Sequence, residues 1–194
     1  MTVLAEMALS ALLAVTAENV LFAGGAGFSR VFRSAENPRS IGADSLLVTL
    51  FALISSLCGL WLWPLLPASG AERTAALAAS AAVVCAAASF LARFFLPGLY
   101  KKLGPRIAGA AVNTVVLSMP YAERLLSSSG FAGAAGMALG TGLSYFLACE
   151  AVSKAVALCK NPDMPKAFSG LPAILIYIGI LSMAFAGFTG GRIF

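Results

Sequence analysis

The chain has 194 residues, of which 60% are hydrophobic and only 11% charged, with a mean hydropathy of +0.91. Soluble domains carry about a quarter charged residues, so these values exclude a soluble domain and predict an all-α integral membrane protein. The net charge is +5 and there is no histidine, which removes the commonest metal ligand and acid–base group; no basic-aromatic cluster reads as a nucleic-acid site.

The first predicted span runs from about Val3 to Phe28. The apolar stretch before Arg30 exceeds the ~20 residues that one straight membrane helix needs. Glu18 and Asn19 fall near its middle, and Gly24, Gly25 and Gly27 follow within a few residues. Polar groups at depth with clustered glycine predict a helix that breaks inside the membrane. Such breaks are tolerated only where protein or a cavity satisfies the freed backbone. One tilted helix with a glycine-rich exit is the plainer alternative. Ala14 to Ala17 mimics a signal-peptide cleavage site, but no Lys or Arg precedes it, so the segment is read as a retained helix.

Arg30 to Gly42 reads as a polar connector with an Asn37-Pro38 turn. The second span covers about Ala43 to Trp63, ending in the interfacial aromatics Trp61 and Trp63. The third, about Thr74 to Leu96, is Ala-rich and can approach its neighbours closely. Pro97 to Arg106 reads as a basic connector, and the fourth span, about Ile107 to Tyr121, is short and again suits a broken element around Asn113. The fifth runs from about Phe131 to Val156, with Gly136 and Gly140 as a small-xxx-small pair; the sixth covers about Ala167 to Phe188.

Asn19 and Asn113 lie 94 residues apart, close to half the chain, each in the first span of its half. Six transmembrane helices therefore predict one membrane domain, 1–194, built as a 3+3 inverted repeat, 1–97 and 98–194, with helices one and four broken. Connectors one, three and five carry ten of the 13 basic residues. By the positive-inside rule both termini lie outside the cytoplasm. Cys58, Cys85, Cys149 and Cys159 show neither a disulfide framework nor metal-ligand spacing.

Asp163 to Gly170, followed by Leu181 to Gly190, resembles the ending of the small six-helix membrane subunits of the Rnf electron-transport complex and the Na+-translocating NADH:quinone reductase. Leu99-Tyr100 and Leu103-Gly104 with Asn113 resemble the start of that family's fourth helix, and Glu18-Asn19 with Gly27 its first. The resemblance covers nearly the whole chain. Termini outside match the version of the family found as the A subunit of Rnf and the E subunit of the reductase. The resemblance implies a subunit of an ion-translocating electron-transport complex in a bacterial or archaeal cytoplasmic membrane. It also implies an oppositely oriented sister subunit, contact with membrane lipid, and flavin and iron-sulfur centres in partner subunits.

In the family the sister pair shares a 2Fe-2S cluster between the broken helices, each subunit giving two cysteines. Here the two family positions are Ser29 and Thr114, and hydroxyls are poor ligands for such clusters. The first Asn of the family's pair is Glu18, and the family's Arg-Glu pair near the end of helix five is absent, with Glu150 and Lys154 nearby. This chain is therefore expected to supply neither metal ligand nor catalytic residue. Glu18, Asn19 and Asn113 are the ion-binding candidates, because a carboxylate at membrane depth is costly unless it has work to do. The plainer readings are a Glu18 held for packing, Asn residues that only brace broken backbone, and a Glu150–Lys154 helix pair at the membrane edge. A redox-silent ion or small-solute transporter, or an assembly subunit on the same scaffold, is the alternative function.

Overall fold

The computed structural model describes residues 3–17, 19–22, 24–65, 70–95, 97–125, 130–159, 165 and 170–187, without the side chains of 99, 102 and 122–125. Among them all regular structure is helical: α1 (Val3–Val15), α2 (Phe28–Ala35), α3 (Ile41–Leu62), α4 (Gly70–Phe95), α5 (Pro97–Ala111), α6 (Thr114–Leu125), α7 (Phe131–Leu158) and α8 (Leu171–Ala186), with single 3-10 turns at Pro38–Ser40 and Trp63–Leu65. Three helical stretches, Pro38–Leu65, Gly70–Phe95 and Phe131–Leu158, are long and apolar enough to cross a membrane; α1 and α8 are apolar but shorter.

Helix α7 is the centre of the fold. Helices α1, α2 and α3 all pack on it, and α6 packs on α3. Small residues make these approaches possible. A Cβ at Gly136 would meet the Met7 carbonyl, and one at Gly140 would meet Ala11 and Ala14, so the Gly-xxx-Gly stripe is where α1 lies on α7. Helix α4 packs on α3, α5 and α6 and keeps Val83, Phe90, Leu91, Phe94 and Phe95 exposed. An outward face this apolar suits lipid or another subunit.

Two corrections concern the connectors. Residues 97–106 are helical and open α5, rather than forming a loop. Pro97 stands at the first helical position, where its missing N–H costs nothing. Tyr100, Leu103, Ile107 and Ala110 recur at helical spacing on the inward side, while Lys101 stays exposed. Likewise, Arg30 and Arg33 belong to α2, whose inner side buries Val31, Ser34 and Ala35.

Proline in α6 is compensated from across the bundle. Pro120 has no N–H for the Val116 carbonyl, its i−4 partner. The buried Ser55 hydroxyl of α3 donates to that carbonyl at 2.7 Å, and Gly59 leaves room for the Pro120 ring one turn further on. In an apolar surrounding such an orphan carbonyl needs a partner.

Candidate functional site at the two helix breaks

Two of the interruptions between helices contain a buried asparagine, the one between Val15 and Phe28 and the one at Val112-Asn113. Each interruption is held by the asparagine it contains. Asn19 is 1% exposed, and its amide serves both sides of the first break. Its Nδ2 donates to the Val15 carbonyl at the end of α1, and its Oδ1 accepts the N–H groups of Leu21 and Phe22, each at 3.1 Å. Asn113 is 5% exposed; its Oδ1 accepts the Val115 N–H, and its own carbonyl accepts the Leu117 N–H that starts α6. A side chain that replaces missing ladder bonds is what lets backbone open at membrane depth.

The glycines divide the work. Gly25 and Gly27 have φ of 66° and 79°, the left-handed region where other residues are strained. At Gly27 there is no room for a side chain either, because a Cβ would strike Val115 Cγ2 and crowd Asn113 Oδ1. Around Gly25 no described residue would meet a Cβ; at Gly24 a Cβ would press on the Val20 carbonyl. Gly27 caps the start of α2, and its N–H donates to Thr114 Oγ1 at 2.7 Å. The two breaks therefore touch, and Phe22 of the first stacks on Phe185 of α8 at 4.5 Å.

Beside this contact lies a cavity of about 260 Å³ lined by Ser29, Arg30, Arg33, Asn113 and Thr114, with Gly109 and Val112 on the α5 side. Ser29 and Thr114, far apart in sequence, thus share one cavity. Arg30 Nη2 donates to the Arg106 carbonyl at 2.7 Å, and the guanidinium fits only because Gly109 lacks a Cβ.

A polar cluster that sequence reasoning missed lies behind Arg30. Asp44, in the first turn of α3, is 4% exposed. Its Oδ1 is 3.6 Å from Arg30 Nη2, and its Oδ2 accepts Ser34 Oγ at 2.9 Å and Ser40 Oγ at 3.4 Å. The Tyr145 hydroxyl of α7 meets Ser34 Oγ at 3.4 Å. The available signal was Arg30 and Ser34, four apart on one helical face, facing an Asp at the start of an apolar span.

Glu18 lies outside the described residues. Glu150 and Lys154 stand one turn apart on α7, but among the described residues the ion pair formed is Arg30–Asp44, so the expected edge pair is not made. All four cysteines are free thiols, Cys85 and Cys149 buried, and among the described residues no three His, Cys, Asp or Glu side chains come together as a metal site.

Residues 5–191 match a family model described as Rnf-Nqr subunit, membrane protein. The chain is 30% identical over 182 residues, 88% of each sequence, to the A subunit of the ion-translocating oxidoreductase complex of Citrobacter koseri. It is 31% identical over 94 residues to the A subunit of the proton-translocating ferredoxin:NAD(+) oxidoreductase complex of Clostridium ljungdahlii. It is 32% identical over 98 residues to the E subunit of the Na(+)-translocating NADH-quinone reductase of Neisseria meningitidis. The last two similarities each span 48% of the relative's length.

Proposed function

The chain belongs to the Rnf-Nqr family of membrane subunits, and from that membership we propose that it is an integral membrane subunit of an ion-translocating electron-transport complex of the Rnf/Nqr type. The observation that carries the reading is the hydrogen bond from Gly27 to Thr114, which brings two asparagine-braced helix breaks together. Discontinuous helices meeting between two halves are a recurrent way to build an ion path in a membrane.

On this reading the six spans form a 3+3 inverted repeat, with α1–α2 and α5–α6 as the broken first helix of each half. The packing supports it: α3 and α7, the second helix of each half, pack on each other, and each also carries the other half's broken helix. Both termini lie outside the cytoplasm, and an oppositely oriented sister subunit covers part of the apolar surface. Glu18, beside Asn19, is the proposed carrier of a proton or Na+, with Asn113 contributing from the facing break.

The residues at the family's cluster positions do not fit a thiolate share of a 2Fe-2S centre. Ser29 and Thr114 present oxygen, and Thr114 Oγ1 already accepts the Gly27 N–H. The redox centres are therefore assigned to partner subunits. Those two hydroxyls also favour the second reading, a redox-silent transporter or assembly subunit.

The deciding experiment is purification of the tagged chain from its native membrane in mild detergent, with subunit identification and iron and flavin analysis. Co-purification of flavin and iron-sulfur subunits is expected. Isolation as a homodimer without them, with transport indifferent to NADH or ferredoxin, would leave only the transporter.

A further inference from the structure

We propose that the cavity at the two breaks binds a small oxyanion, of the phosphate, sulfate or carboxylate type. The charged side chains that line it are both cationic, Arg30 and Arg33, and the polar side chains beside them are the Asn113 amide and the hydroxyls of Ser29 and Thr114. Among the described residues no carboxylate lines the cavity. Such a set matches an anion that accepts several hydrogen bonds.

The buried amide gives the second, independent observation. Asn113 spends its Oδ1 on the Val115 N–H, and its Nδ2, buried at the cavity it lines, has no partner among the described residues. A buried donor left unpaired costs about 1–3 kcal/mol, so the second break carries an unmet demand for an acceptor beside the cavity. Arg30 Nε is likewise buried and without a hydrogen-bond partner among the described residues. Its Nη2 stands 3.6 Å from Asp44 Oδ1, an ion pair without a hydrogen bond. Arg33 is exposed and makes no ion pair among the described residues.

Backbone electrostatics act in the same direction. Helix α2 starts at Phe28 and α6 at Thr114, so both first turns lie at the cavity. The positive ends of two helix dipoles thus converge where the arginines stand. Broken helices in membranes use this arrangement for anionic groups. The breaks therefore have two chemically distinct sides, a donor-rich cavity beside Thr114 and the first break beside Asn19.

The test uses the full-length chain, with whatever subunits accompany it, in phosphatidylcholine nanodiscs. Inorganic phosphate, sulfate and acetate are titrated by calorimetry at constant ionic strength against chloride. Saturable binding of at least one oxyanion is expected. Arg33→Gln, at an exposed position that should not disturb folding, is expected to weaken it about tenfold, the loss of one charge-assisted contact. Arg39→Gln, outside the cavity, should leave it unchanged. Repeating the titration in phosphatidylglycerol nanodiscs separates the sources. Weakened phosphate binding there identifies a lipid headgroup as the occupant, and unchanged binding identifies a free anion. Absence of saturable binding in phosphatidylcholine, or equal binding by wild type and Arg33→Gln, overturns the proposal and leaves the complex-subunit reading untouched.

Discussion

The backbone N–H of Gly27 donates to the hydroxyl of Thr114 at 2.7 Å, across 87 residues of sequence. One hydrogen bond thus joins the two places where the chain abandons helical geometry. Thr114→Val keeps the shape and deletes the acceptor, leaving the Gly27 N–H without its partner. A loss of about 1–3 kcal/mol is expected, read as a lower unfolding temperature in detergent. Thr114→Ser should retain most of the stability. Equal stability of the Val variant would mean that the bond contributes nothing.

Gly25 and Gly27 share a left-handed backbone but differ in surroundings, which separates strain from collision. Gly25→Ala is expected to cost about 1–2 kcal/mol from backbone strain alone. Gly27→Ala adds contact with Val115 and Asn113 and should prevent the breaks from meeting. Its yield of folded protein, measured by size-exclusion profile, is expected to fall well below that of Gly25→Ala. A reversed order would contradict the geometry.

Asp44 and Arg30 form a buried pair, with side chains 6% and 11% exposed. Asp44→Asn strands the guanidinium and is expected to destabilise by about 3–5 kcal/mol. The double variant Asp44→Asn, Arg30→Gln should recover part of that loss, because the stranded charge is gone. A double-mutant cycle on thermal stability measures the coupling, and strictly additive effects would argue against the pair.

Orientation is testable at exposed sites that the proposed topology puts on opposite sides. Glu36 follows α2 and Gly130 precedes α7; both are exposed, whereas Ser34, near the first of them, is buried and unsuited to labelling. Single cysteines at Glu36 and Gly130 in a cysteine-free background are expected to behave oppositely. An impermeant thiol reagent should reach only the Gly130 position from outside intact cells. Labelling at Glu36 from outside would reverse the proposed topology.

Composition and pattern were enough to identify an apolar, helical membrane chain, because the chain has too few charges to cover a soluble surface. The breaks were also legible. Asn19 with Gly24, Gly25 and Gly27, and Asn113 in a short span, are residues that a continuous membrane helix has little use for. Gly136 and Gly140 announced a close helix contact, though not that α1 would fill it. The helical state of residues 97–106 was hidden by their charge, since hydropathy weighs Lys101, Lys102 and Arg106 without asking which face they occupy. Only the tertiary structure decided that Thr114 would serve Gly27, that Ser55 would satisfy the carbonyl opposite Pro120, and that Asp44 would sit behind Arg30. The reason is physical: periodicity along one helix marks which face is buried or polar, while the partner that satisfies that face comes from a distant segment, placed there by the packing of α3 and α7.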